Sequence, residues 1–243
     1  MIGGDKSSIL AGDIGGTKTH IALFSKVGNK LKCERDKTYA SKQYPGLEPV
    51  LREFLTDSDG SVGGACFGIA GPVIDDAVKT PNLPWFIDGR QISKALNTPS
   101  VALLNDLEAT AFGIFTLEPE ELLCLNQGIL RRPGNKALIA AGTGLGEALL
   151  YDDGRQYHPI PSEGGHADFA PREDVEIELL LHLMRRFGHV SYERVVSGPG
   201  IANIYEFLSE SGRYDEPLGF KEKLAISADP SALISQAALT GAP

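Results

Sequence analysis

Two short blocks of the chain share one alternation of apolar and polar residues. The first runs Leu10-Ala11-Gly12-Asp13-Ile14-Gly15-Gly16-Thr17-Lys18-Thr19-His20-Ile21-Ala22-Leu23-Phe24, and the second Ala140-Ala141-Gly142-Thr143-Gly144-Leu145-Gly146-Glu147-Ala148-Leu149-Leu150. Each is an apolar run, a Gly/Thr turn and a second apolar run, which predicts strand, tight turn, strand. Lys32 to Tyr39 extends the first hairpin into a meander. Leu47 to Leu55 carries apolar residues at 47, 50, 51, 54 and 55, which is helical spacing. Ala65 to Ala70 and Val101 to Leu104 read as buried strands. Asn105-Asp106 closes the second of these, and Leu107 to Ile114 has helical composition. Strands alternating with helices indicate an α/β domain. The pattern restarts at Lys136, which places a lobe boundary near residue 115, with lobes 1–115 and 116–243. In the second lobe Ile177, Leu180, Leu181, Met184 and Phe187 share a helix face ending at Gly188. Ile201, Ile204, Tyr205 and Leu208 mark another helix, and Asp229-Pro230 opens a last one through about Leu239.

The turns bring in chemistry. Glycine lets a backbone approach an anion closely and tolerates positive φ, so consecutive N–H groups can converge on phosphate oxygens. Gly-rich hairpins also occur in proteins that bind no phosphate. Two in one chain suggest two lobes that each present a phosphate loop to a shared cleft. Asp13 sharpens this, because a carboxylate beside a phosphate loop is electrostatically wrong unless a cation lies between them. Mg²⁺ is the usual one.

Three further constellations stand out. Asp106 sits where a buried strand hands over to a helix, the place where open α/β sheets put ligands. It suits a base accepting a hydroxyl proton during phosphoryl transfer, and equally a helix cap. Ser162-Glu163-Gly164-Gly165-His166 makes poor core and poor helix. It suits a loop around a small polar molecule such as a sugar, with Glu163 and His166 hydrogen-bonding hydroxyls, or a plain solvated loop; HExxH zinc spacing is absent. Glu193 lies in the first turn of a short helix that Ser191 is placed to cap. It serves either the helix dipole or a sugar hydroxyl.

Composition narrows the classes. The 243 residues carry a formal net charge of −9 and a pI near 5.1, against a nucleic-acid or anionic-membrane partner. No run approaches a membrane span, and residues 1–8 read as a short tail without a signal-peptide core. Cys33, Cys66 and Cys124 show no CxxC spacing and are expected to pack as small apolar residues in a reducing cytoplasm. His20, His158, His182 and His189 show no metal spacing.

Gly12 through Thr17, Leu104-Asn105-Asp106, Gly142 through Gly146, Glu163 through Pro171 and Glu193 through Gly200 resemble, in order, the motifs of bacterial ATP-dependent glucokinases. The resemblance implies the two-lobed actin-like (ribonuclease H-like) sugar kinase fold, with glucose and ATP meeting between the lobes. By motif, Gly12, Asp13, Ile14, Gly15, Gly16 and Thr17 are the first phosphate loop. Gly142, Thr143 and Gly144 belong to the second. Asp106 is the base, Asn105, Glu163, His166 and Glu193 hold the sugar, and Asp13 serves Mg²⁺. The family's sequence continues beyond the position of Pro243 with an adenosine-binding segment, so the second lobe is expected to be short. The expected function is glucokinase, with a sugar-binding or regulatory homologue lacking turnover as the alternative. An actin-like ATPase would have no use for the Glu163/His166 loop, and the related repressor/kinase family's cysteine-rich zinc motif is missing. A homodimer is compatible with the sequence.

Overall fold

The computed structural model describes residues 8–28, 30–56, 61–129, 134–215 and 218–241. The expected tail lies outside them, except for Ser8, which begins a strand. The chain divides into two units, Met1–Leu130 and Arg131–Pro243. The sequence pattern puts the boundary near residue 115; the exposed run carrying Leu117, Leu122, Leu123, Leu125 and Ile129 falls in the first unit.

In the first unit, β1 (Ser8–Ile14), β2 (Lys18–Val27) and β3 (Lys30–Ala40) form the meander. Helix α1 (Leu47–Leu55), β4 (Val62–Ile69), a small hairpin of β5 (Ala77–Lys79) and β6 (Phe86–Asp88), α2 (Gly89–Leu96), β7 (Val101–Asn105) and α3 (Asp106–Gly113) follow. Five strands form one sheet in the order β3-β2-β1-β4-β7. Strands β1, β4 and β7 are parallel, and Ile14, Ile69 and Asn105 stand level in register. All three therefore leave the sheet along one edge, where such sheets place ligands.

Helix α1 buries Leu47, Val50, Leu51 and Phe54, as its periodicity predicts. They join Leu10, Ile14, Ile21, Phe67, Ile69 and Trp85 in one core, each side chain contributing roughly 1.5–3 kcal/mol. Trp85 is 1% exposed, and its indole N–H donates to Tyr44 O at 2.9 Å. That bond satisfies the ring's polar handle inside the core.

In the second unit, β8 (Lys136–Ala141), β9 (Leu145–Asp152) and β10 (Tyr157–Ser162) make an antiparallel sheet in the order β10-β9-β8. Helices α4 (Asp174–Phe187), α5 (Gly198–Glu210), α6 (Phe220–Ile226) and α7 (Pro230–Thr240) complete it. Asp229 caps α7 by accepting the Ala232 N–H, and Gly188 ends α4 with φ 72. The buried cluster is small: Leu179, Leu183, Val190 and Phe207, edged by Phe169, Leu180, Phe187 and Ile204.

Two expectations fail here. Helix α4 buries Leu179 and Leu183, with Leu180 and Phe187 of the expected face packed against them, while Ile177, Leu181 and Met184 are exposed. The apolar arc of this helix is wider than the stripe that is covered, so spacing alone could not choose the buried part. Cys33 and Cys124 are exposed and only Cys66 is partly buried; Cys33 lies on edge strand β3, whose side chains mostly face water. Among the described residues no helix is long and apolar enough to cross a membrane.

Candidate active site

The first half-site forms where β1, β4 and β7 end. Gly12 and Ile14 are paired inside the sheet, and Ile14 is 1% exposed. A Cβ on Gly12 would stand 2.7 Å from the Phe67 ring and 2.9 Å from Ile21. The turn itself closes by the Gly15 N–H donating to Lys18 O at 2.9 Å, which leaves Gly16 and Thr17 at its tip. Neither Gly15 nor Gly16 has φ in the left-handed range. Positive φ is therefore not what these two glycines supply; clearance is. A Cβ on Gly16 would meet Asn82 at 2.7 Å.

Two buried hydroxyls hold this turn, and the sequence pattern did not single them out. Ser41 Oγ donates to Gly15 O at 2.8 Å and lies 2.9 Å from Thr19 Oγ1, while the Ser41 N–H donates to Thr17 O. Both side chains are fully buried. They are 22 residues apart and chemically ordinary, so only the folded meander reveals the pair.

Asn105 is the N-cap of α3. Its Oδ1 accepts the Leu107 N–H at 3.0 Å and its Nδ2 donates to Gly71 O at 3.2 Å. Asp106 is the first helical residue, and its Oδ1 also accepts the Leu107 N–H, at 2.9 Å. Burial pushes the Asp106 carboxyl above the usual aspartate range, and the negative charge of exposed Asp13 pushes it the same way. Gly68 makes this approach feasible: a Cβ there would stand 2.9 Å from Ala109 Cβ and 3.7 Å from Asp106 Cα.

Asp13 and Asp106 are thus two electrostatically coupled carboxylates at one sheet edge. Of the two, exposed Asp13 is the one that suits Mg²⁺, which binds through one or two carboxylates and keeps its waters. Among the described residues no three acidic, histidine or cysteine side chains gather as a metal cluster, so an all-protein cage is not built.

The second half-site surrounds the turn between β8 and β9. Gly142 N–H donates to Gly144 O at 2.8 Å, which commits that donor and leaves Thr143 at the tip. Glu163 precedes a short 3₁₀ turn, Gly164–His166; its carboxylate is 85% exposed and 3.7 Å from His166 Nε2. The two glycines between them serve packing rather than loop freedom. A Cβ on Gly165 would strike the Leu145 carbonyl, and one on Gly164 would strike the Glu147 carboxylate. Segment 166–169 then runs beside 189–192: the Phe169 N–H donates to Val190 O and the Tyr192 N–H to Ala167 O, each at 2.9 Å.

That pairing carries the chain to Glu193, which lies in the 3₁₀ turn Tyr192–Arg194. Ser191 precedes this turn but makes no side-chain cap bond, contrary to the capping expectation. Glu193 is half-buried, and its Oε2 accepts the Leu145 N–H at 3.0 Å across 48 residues. The remaining histidines make plain partners: His20 with Asp36, His158 with Asp153, His182 with Glu210, His189 with Asp168.

The chain overlays on the crystal structure of glucokinase from an Antarctic psychrotroph with a TM-score of 0.78 and 30% identity, covering 97% of this chain and 71% of that one. A ROK family glucokinase from Streptomyces griseus, solved with glucose and AMPPNP, shares the fold at a TM-score of 0.59 and 19% identity, covering 98% and 72%. The fold is that of the two-lobed, actin-like sugar kinases. The sequence model of the glucokinase family matches residues 10–243. A glucokinase from a Nostoc species is 40% identical over 252 residues, spanning 96% of this chain and 72% of that protein. The chain belongs to the glucokinase family. Its activity is of the glucokinase type, in which the γ-phosphoryl group of ATP passes to glucose.

Proposed function

We propose that Asp106 is the general base of this transfer and that the sugar is held by Asn105, Glu163, His166 and Glu193. The observation that carries the proposal is the state of Asp106. One carboxylate oxygen is anchored by the Leu107 N–H, and burial raises the group's proton affinity. The anchor fixes the direction of the other oxygen, and the raised proton affinity suits a group that receives a hydroxyl proton as the oxygen–phosphorus bond forms. Phosphoryl transfer asks little else of a base, because positioning and charge stabilisation do most of the work.

The backbone N–H groups at the tips of both turns, at Gly16, Thr17 and Thr143, are the candidate phosphate donors. Gly12, Ile14, Gly15 and Gly142 shape the turns; Gly144 serves both purposes. Asp13 is the residue that would hold Mg²⁺, and the ion when bound would neutralise phosphate charge. Glu163 and Glu193 accept from sugar hydroxyls, and His166 donates or accepts. Asn105 is largely spent on capping α3, so one amide hydrogen remains for the sugar. A cytoplasmic site of action fits a kinase that uses ATP and carries exposed thiols.

The test is Asp106→Ala. Loss of a general base costs about 10²–10⁴-fold in rate, so kcat in a coupled assay should collapse while glucose binding by calorimetry persists. Retention of more than about a tenth of kcat would place the base elsewhere.

A further inference from the structure

Around the second turn, three chain segments converge on one residue. Leu145 gives its N–H to Glu193 Oε2 at 3.0 Å, its carbonyl faces Gly165 with no room for a Cβ between, and its side chain is buried. The other end of the turn is held by the same stretch of chain, because the Gly198 N–H donates to Gly142 O at 2.8 Å. Between these two anchors the stretch is stiffened internally. Ser197 Oγ donates to Glu193 O at 2.6 Å and accepts the Gly200 N–H at 3.0 Å, and Asn203 Nδ2 donates to Arg194 O at 2.9 Å. Glu193 Oε1 takes no hydrogen bond among the described residues. Gly144 leaves the carboxylate its place, since a Cβ there would stand 2.5 Å from Oε2.

We infer that Glu193 is a positioning residue as well as a sugar acceptor: Oε2 tethers the phosphate turn through Leu145, Oε1 faces outward for a hydroxyl, and sugar and phosphate binding are coupled through this one side chain. The inference rests on the sugar role proposed for Glu193. A carboxylate that must satisfy the Leu145 N–H cannot also swing freely, so a sugar hydroxyl finds it preorganised. By linkage, a sugar that fixes the carboxylate also fixes the turn.

Three variants separate the parts. Glu193→Gln keeps a carbonyl oxygen for the Leu145 N–H but turns a donor toward the sugar. Glu193→Ala removes both. Gly144→Ala displaces the carboxylate from within the phosphate turn, against the yielding tip of a flexible side chain, so folding should survive. The first readout is hydrogen exchange at the Leu145 amide, followed by NMR without ligands. Glu193→Ala and Gly144→Ala should speed it by about tenfold or more, the value of one charge-assisted bond, and Glu193→Gln by much less. The second is glucose affinity by calorimetry, which should fall by about tenfold or more in both Glu193 variants and measurably in Gly144→Ala. The third is KM for ATP, which should rise more for Glu193→Ala than for Glu193→Gln.

Unchanged Leu145 exchange in Glu193→Ala would overturn the tether. Exchange that responds while glucose affinity stays at the parent value in both Glu193 variants would overturn the sugar role of Glu193, and the coupling with it. Parental glucose affinity in Gly144→Ala alone would overturn the coupling and leave the sugar role standing.

Discussion

The two glycine turns resemble each other in sequence and differ in what holds them. The first rises from the middle of a five-stranded sheet, over a continuous core that includes Leu10, Ile21, Phe67 and Trp85. Its last adjustment comes from the buried Ser41–Thr19 hydroxyl pair. The second rises from a three-stranded sheet on which Ile139, Leu149, Tyr151 and Ile160 are exposed. It is positioned by individual hydrogen bonds, one accepted by Glu193 and one donated by Gly198. Equal motifs thus do not imply equal mechanics. One turn inherits its place from packing, which tolerates no added volume. The other inherits it from a few polar contacts, which single atoms can undo.

The strongest way to break this comparison is to add one methyl group to each glycine block, at Gly12 in the strand leading into the first turn and at Gly142 in the second. Gly12→Ala forces a Cβ against Phe67 and Ile21, and overpacking of this kind costs about 1–3 kcal/mol. Gly142→Ala meets nothing within 4 Å and should stay within about 0.5 kcal/mol of the parent. Urea denaturation followed by circular dichroism reads both. Equal losses would remove the distinction.

A second substitution, of similar size, sharpens it. Ser41→Ala takes the buried partner from Thr19 and the donor from the Gly15 carbonyl. An unsatisfied buried group costs about 1–3 kcal/mol, so Ser41→Ala should destabilise the protein by an amount in that range. A parental unfolding midpoint would show that the first turn is held by packing alone.

The smallest expected effect runs the other way. Asp106 carries a folded-state pKa above its unfolded value, because burial, with help from the Asp13 charge, raises it more than the Leu107 hydrogen bond lowers it. The folded protein therefore holds this proton more tightly than the unfolded chain. The group's contribution to stability falls as pH rises through the window between the two pKa values, and above it the penalty is complete. Asp106→Asn keeps an oxygen for the Leu107 N–H and removes the charge. It should abolish turnover yet raise Tm at neutral pH. The gain should vanish once the pH drops below the ordinary aspartate range. Asp13→Asn should move the acid limb of kcat/KM to lower pH, because it removes a charge that raises the Asp106 pKa. A limb that stays put would uncouple the two carboxylates.

What could be read in the sequence follows from the range of the interactions involved. Helix α1 matches its periodicity, since burial on one face repeats every few residues. The strand–turn–strand blocks and the Asp229 cap are local too, and they stand as expected. Helix α4 was only partly legible because its apolar arc, from Leu179 round to Leu181, is wider than the stripe that is buried. In the candidate site, the place of Asp106 at the end of a strand was legible. The cap role competing for it falls to Asn105, one residue earlier. The bonds Ser41–Thr19 and Glu193–Leu145 join residues 22 and 48 positions apart. No spacing rule reaches that far. Clearance adds a reason at Gly12, Gly16 and Gly144, where a Cβ would meet a neighbour, and none at Gly142, which meets nothing within 4 Å.

One feature of the core has a practical side. The chain contains a single tryptophan, Trp85, held in the first unit with its indole N–H bonded to Tyr44 O. Emission excited selectively at the indole band therefore reports on the first unit, red-shifting as that core opens to water. Far-ultraviolet dichroism sums helices from both units. Recording the two signals in one melt separates the loosening of one half from the loosening of the other, and turns a native side chain into a built-in optical gauge.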